Sequence, residues 1–186
     1  VEQLLALKQS MPSDGLLLVD EAFVEGAEKP SLLSQQALEG IVVLRSIGKF
    51  FGLAGLRLGF TFGDEQLIQR LQRQVQPWGV SGPAIDVGIA ALKDIVWQRA
   101  QAQRIRASSA ELQALVKHHW PDIKIASAGL FTTIFAPTEL IELRYVQSAE
   151  QAVLLRKGRV DEKTAWLRIG LADDYSRLNK SWSTLA

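Results

Sequence analysis

At 186 residues the chain can bury a sizeable core, and with 47% hydrophobic and 22% charged residues its composition is that of an ordinary globular protein. Its 21 Lys and Arg against 20 Asp and Glu leave a formal charge of +1, so no basic excess argues for nucleic acid or an anionic membrane. The lack of cysteine excludes a disulfide scaffold and thiolate chemistry, and no apolar run approaches a membrane span, so a cytoplasmic setting and a small-molecule or protein partner are expected.

Leu4, Leu5 and Leu7 predict a short helix that stops at the turn cluster Pro12-Ser13-Asp14-Gly15. Residues 15–19 form a continuous apolar run, read as a strand covered on both faces, with Asp20 and Glu21 at its C-terminal end. Residues 41–44 repeat that design and carry Ser46 and Lys49 to a strand's C-terminal edge, where ligands collect in open α/β sheets. A third strand is expected over 56–62, followed by a helix capped by Asp64 and running to about Val75. The punctuated loop 77–83 leads into a helix from about Ala84 to Leu92, and residues 93–118 read as one long helix. After Pro121 the pattern changes to short strands over 123–125 and 130–135, a helix over about 148–157 stopped by Gly158, a strand over 166–171, and a last helix begun by Asp173-Asp174. The fold class is therefore α/β. Its expected parts are a large domain with a mostly parallel sheet over 1–92, a connecting helix over 93–118, and a small α+β domain over 119–186.

The chemistry concentrates around Lys49. One glycine-punctuated stretch supplies its amine, the hydroxyl of Ser46 three residues earlier and the guanidinium of Arg57 eight residues later, and Asp20 lies at the end of the preceding strand. This is the inventory that pyridoxal phosphate requires. A lysine amine must bond covalently to the aldehyde, a carboxylate must keep the ring nitrogen protonated, and hydroxyl, backbone N–H and arginine must clamp the phosphate. The glycines at 52, 55 and 59 do not spell the dinucleotide fingerprint.

Residues 19–23 (Val-Asp-Glu-Ala-Phe), together with Ser46-x-x-Lys49-x-x-Gly52-Leu53-Ala54-Gly55-Leu56-Arg57-x-Gly59, resemble the fold-type I pyridoxal-phosphate enzymes of the histidinol-phosphate aminotransferase branch. Residues 45–52 and the Pro77-Trp78-x-Val80-Ser81-Gly82-Pro83 loop look like the threonine-phosphate decarboxylases within it. The resemblance implies an aspartate aminotransferase-like fold and pyridoxal 5′-phosphate as cofactor. It further implies an amino acid phosphate as substrate, a homodimer, and either decarboxylation or amino transfer. Carried over by position, it makes Lys49 the catalytic Schiff-base lysine, Asp20 the ring-nitrogen partner, Ser46 and Arg57 phosphate ligands, and Arg168 the grip on the substrate's acidic group. Phe23 stands where relatives commonly carry tyrosine, and Gly48 where aminotransferases often carry a second hydroxyl. The family's glycine-rich phosphate loop, ring-stacking aromatic residue and asparagine-bearing segment should precede Val1, so a longer parent polypeptide is expected.

Other signals carry less. Ser46-x-x-Lys49 also fits the serine acyl-transferase motif, but its companion Ser-Asp-Asn is absent and Lys163-Thr164 is followed by alanine. His118 and His119 are adjacent and make a poor metal pair on a helix, so no metal site is expected. The five tryptophans are scattered, which suits packing better than base stacking. The competing reading from another class is a non-catalytic fragment that folds and self-associates.

Overall fold

Two short apolar runs decide where the first sheet forms. In the computed structural model, which describes residues 1–26, 30–35 and 38–183, Leu17–Asp20 (β1) runs parallel to Ile41–Ser46 (β2), with Leu17 opposite Ile41 and Asp20 opposite Leu44. Gly59–Phe62 (β3) pairs antiparallel with the other edge of β2, so the order is β1-β2-β3 and the sheet is mixed among the described residues. The third strand starts later than expected because Ala54–Leu56 winds into a 3-10 turn. Two further 3-10 turns, Val24–Gly26 and Leu32–Ser34, lie between β1 and β2.

One face of this sheet packs on Glu2–Ser10 (α1). Leu32, Ile41 and Val43 form a buried centre against which Leu4, Leu5, Leu17 and Val19 pack. The expectation that β1 is covered on both faces does not hold. Its residues alternate, and Leu18 on the other face is 60% exposed, as a strand of period two with one packed face requires. Glu65–Gln72 (α2) starts as expected, with the Asp64 carboxylate accepting from the Leu67 N–H at 2.8 Å. Gly82–Lys93 (α3) is capped by Ser81, which accepts from the Ala84 N–H, and carries Pro83 in its first turn. Gly88 lets α3 lie against Leu58, whose Cδ2 would sit 2.5 Å from any added Cβ. Asp94 ends α3, and its carboxylate accepts from the Trp97 N–H at 2.9 Å to open the long helix Ile95–His119 (α4).

The chain divides into two compact units, Val1–Gln98 and Arg99–Ala186. In the second, Lys124–Ser127 (β4), Phe131–Pro137 (β5), Arg156–Arg159 (β6) and Thr164–Gly170 (β7) form an antiparallel sheet in the order β4-β5-β7-β6. Ile134 and Ala136 of β5 and Ala165, Leu167 and Ile169 of β7 point into one core, which Leu112 and Val116 of α4 cover. Thr138–Glu150 (α5) and Ser176–Ser183 (α6) complete this unit. Trp182, 2% exposed, donates its Nε1–H to Ser148 Oγ at 3.1 Å, and Arg144 stacks on Trp120 at 4.7 Å while donating to the Trp182 carbonyl. Burial lowers the Arg144 pKa from its ordinary value, but arginine keeps its charge.

The expected helix over 148–157 is displaced: α5 occupies 138–150, the chain turns at Ala152 with φ 56°, and Gly158 lies inside β6. Ile141, Arg144 and Ser148 are buried at helical spacing, which ties the helix to the earlier segment. Gly158 serves as a seat for an aromatic ring, since a Cβ there would lie 2.5 Å from Cζ2 of its cross-strand partner Trp166. Gly158→Ala is expected to destabilise this unit by roughly 1–3 kcal/mol, the usual cost of forcing an extra methyl into packed contact. Urea denaturation followed at a tryptophan of this unit checks it, and an unchanged midpoint would show that the ring swings clear.

Two turns of the second unit are acid-sensitive. Asp161 is held below its usual range first by the Lys163 N–H and then by the Thr164 N–H, and Asp174 by the Ser176 hydroxyl and then its N–H. A lowered carboxylate pKa stabilises the fold above the unfolded value, and that contribution is lost as pH falls through the folded one.

Candidate functional site

The parallel pairing of β1 and β2 brings two of the sequence-marked residues together. Asp20 ends β1 opposite Leu44, and Ser46 lies two residues beyond Leu44, so Asp20 and Ser46 share one face of the sheet at its C-terminal edge. Asp20 is exposed, and its Oδ1 accepts from the Ala22 N–H at 2.9 Å, an Asx turn that fixes the carboxylate as the chain leaves the strand. Ser46 Oγ accepts from the Gly48 N–H at 3.0 Å and so bends the chain into the turn that carries Lys49.

Lys49 stands on that turn as an exposed side chain between buried neighbours. Ile47, Phe50 and Phe51 are 2%, 4% and 9% exposed, and the two phenylalanine rings pack against each other and against Trp97 with centroids 5.1 to 5.7 Å apart. The apolar anchors hold the backbone on both sides of Lys49 while its amine remains accessible. Its Nζ lies 5.5 Å from the centroid of the Phe23 ring. The Gly52 N–H closes the turn on the Lys49 carbonyl at 3.1 Å, and Gly52 has φ 69°, where a side chain would be strained.

Gly48 is tightly enclosed. A Cβ there would lie 3.2 Å from both Ser46 Oγ and the Ala54 Cα, so a second hydroxyl at this position would require the 3-10 turn to yield. Arg57 follows that turn in the left-handed conformation, φ 52° and ψ 39°, and donates from Nη1 to the Ala54 carbonyl at 3.2 Å. A non-glycine residue held there stores backbone strain, of the kind that clusters at ligand sites. Around Gly52 and Gly55 an added Cβ would meet nothing within 4 Å, so backbone is bare on that side.

Arg168 belongs to the second unit. It lies on β7 between the buried Leu167 and Ile169, so it is on the face of the strand opposite the core, with Thr133 and Arg156 as its cross-strand partners. Its guanidinium lies over the Phe131 ring at 4.9 Å, which gives it a defined plane. Among the described residues it makes no salt bridge.

Sequence reading alone passes over one polar network at the site. Arg45 donates from Nη2 to Glu25 Oε1 at 2.5 Å and from Nη1 to Glu21 Oε2 at 3.3 Å, and Glu21, 8% exposed, also accepts from Ser31 Oγ and the Leu32 N–H. The available signal was an acid and a base placed directly beside Asp20 and Ser46 on adjacent strands. A cavity of about 220 Å³ lies beside this network, lined by Glu25, Arg45, Ser46, Phe60, Phe62 and Leu92 among others. A wider groove of about 740 Å³ lies in the second unit between Lys124, Glu139, Glu162 and Lys163, and includes none of the marked residues. Among the described residues no group of three or more His, Asp or Glu could hold a metal ion, and no helix is long and apolar enough to cross a membrane.

Comparison with known proteins places these features in a family. Residues 1–178 match the family model described as aminotransferase class I and II. A threonine-phosphate decarboxylase of Pseudomonas aeruginosa is 39% identical over 166 residues, covering 85% of this chain and 50% of the relative. A histidinol-phosphate aminotransferase of Trichormus variabilis is 30% identical over 146 residues, covering 76% of this chain and 40% of the relative. Among solved structures, the histidinol-phosphate aminotransferase of Sinorhizobium meliloti in complex with pyridoxal-5′-phosphate superposes with a TM-score of 0.83 at 22% identity, covering 100% of this chain and 53% of the other. The chain thus spans about half the length of the curated relatives it matches.

Proposed function

Because the chain belongs to the aminotransferase class I and II family, we propose that it carries the lysine-bearing part of a pyridoxal 5′-phosphate site whose parent protein removes carbon dioxide from an amino acid phosphate. The observation that supports this most is the placement of Asp20 and Ser46 on one face of two paired strand ends, with Lys49 on the turn that follows. The donor set fits the cofactor: a carboxylate, an accessible amine, a hydroxyl and a guanidinium beside bare glycine backbone. When bound, the cofactor supplies a protonated ring that accepts the electron pair of the bond broken at the substrate's Cα.

The chain's own residues do the rest. Asp20, oriented by the Ala22 N–H, holds a proton at the ring nitrogen. Lys49 anchors the cofactor covalently and then carries a proton to or from the substrate carbon. Ser46 and Arg57 hold the phosphate, each through a charge-assisted contact worth roughly 1.5–3 kcal/mol. Phe23 presents a ring but no hydrogen-bond donor beside the amine, so no phenolic proton is offered at that position. Arg168, stacked on Phe131, is the proposed grip on the substrate's carboxylate or phosphate.

Decarboxylation is favoured over amino transfer by the higher identity to relatives named threonine-phosphate decarboxylase, 38–39% against 30–31% for those named histidinol-phosphate aminotransferase. The proposed setting is a cytoplasmic homodimer, supported by the lack of cysteine and by the half-exposed Ile85, Val87, Ile89 and Leu92 of α3, which suit burial against protein. The test is to assay the complete gene product with O-phosphothreonine, and separately with histidinol phosphate plus 2-oxoglutarate. Carbon dioxide from the first is the expected result. Glutamate from the second, with no gas from the first, would make it an aminotransferase, and neither product with cofactor present would favour a non-catalytic protein.

A further inference from the structure

Glu21 and Arg45 are the immediate neighbours of Asp20 and Ser46, and strand geometry turns them to the other side of the sheet. On that side Val19 and Val43 pack in the core around Leu32, and the Glu21–Arg45 contact continues the same row at the strand ends. Beyond β1, the described side chains from Ala22 to Glu25 are partly buried, and Arg45 ties this segment to β2 by a polar contact. Its Nε and Nη2 both donate to Glu25 Oε1, and its Nη1 donates to Glu21 Oε2 and to Ser31 Oγ at 3.2 Å, so one guanidinium joins both 3-10 turns and the end of β1 to β2.

We propose that Arg45 is a positioning residue of the site: gripping Glu21 and Glu25 from behind the sheet, it fixes Asp20 and Phe23 relative to the strand end that carries Ser46 and Lys49. The proposal rests on the reading of Asp20 and Lys49 as cofactor-binding groups. Two features separate it from a bland stabilising contact. Setting one partly buried cation, 20% exposed, between two carboxylates gains little stability, because desolvation and screening offset the attraction, whereas it is an effective way to hold one geometry. The contacts also use the fork: three nitrogens of one planar group reach three different side chains, which a lysine ammonium at the same position cannot reproduce.

Arg45→Lys keeps the charge and removes the fork, and it is tested in the complete gene product beside Arg45→Met. Two readouts are taken. In cofactor-free protein, hydrogen exchange at the Ala22 amide, which Asp20 accepts, should lose protection by at least roughly tenfold in both variants while Val42 and Val43 keep theirs. With pyridoxal phosphate added, the dissociation constant should rise on the order of tenfold, the usual cost of losing an outer support of a site, and the pH midpoint of the visible absorbance of lysine-bound cofactor should move. Unchanged Ala22 protection and an unchanged absorbance midpoint, even with a loss of thermal stability, would overturn the proposal and leave Arg45 a fold contact. If the unaltered protein shows no lysine-bound absorbance, the cofactor reading itself fails, and the exchange arm alone decides whether Arg45 orders the Asp20 turn.

Discussion

Lys49→Ala in the complete gene product is expected to lower turnover by at least about 10³-fold, at the upper end of what a positioned acid–base group contributes, because covalent anchorage is lost with it. The fold should scarcely notice. Lys49 is exposed, its turn is held by the buried Ile47, Phe50 and Phe51, and its 5.5 Å approach to Phe23 is a cation–π contact worth about 0.5–1 kcal/mol at such a site. Steady-state kinetics paired with urea denaturation separates the two effects. A variant that keeps more than a tenth of its activity would move the chemistry to another amine, and one that loses activity together with its cooperative transition would make Lys49 structural.

Asp20→Asn is expected to lower kcat by about 10²-fold or more, the scale set by removing one preorganised electrostatic group from a reaction centre. The side chain keeps its size and can still accept from the Ala22 N–H, so the turn after β1 survives and stability should stay within about 0.5 kcal/mol. What is lost is the negative charge that keeps a ring nitrogen protonated. Substrate KM should change far less than kcat, because the loss falls on the transition state rather than on binding. An unaltered kcat would return Asp20 to the role of an Asx-turn cap.

These outcomes turn on a handful of residues, most of them marked by the sequence itself. Asp20, Ser46 and Lys49 stood out because apolar runs fix strand ends, and strand ends in α/β sheets face ligands. That Asp20 and Ser46 share one face follows from the parallel register, which the repeated design of the two strands already suggested, and Lys49 lies on the turn beyond. The exposure of Leu18 was not legible: a run of apolar residues looks alike whether one face or both are packed. Gly158 misled because glycine signals a helix stop and a ring-covered strand position equally, and only the register with Trp166 separates them. The left-handed backbone at Arg57 and the contact of Arg45 with Glu21 and Glu25 depend on turn geometry and side-chain reach, which carry no periodic signal.

Borohydride reduction of the complete gene product in the presence of pyridoxal phosphate, followed by tryptic mapping, tests the assignment of Lys49 most directly. Reduction makes the lysine–cofactor bond permanent and blocks cleavage after the modified residue, so a labelled peptide running from Ser46 to Arg57 is expected. A label on Lys93 or Lys157, or stoichiometric cofactor binding with no labelled lysine, would contradict it.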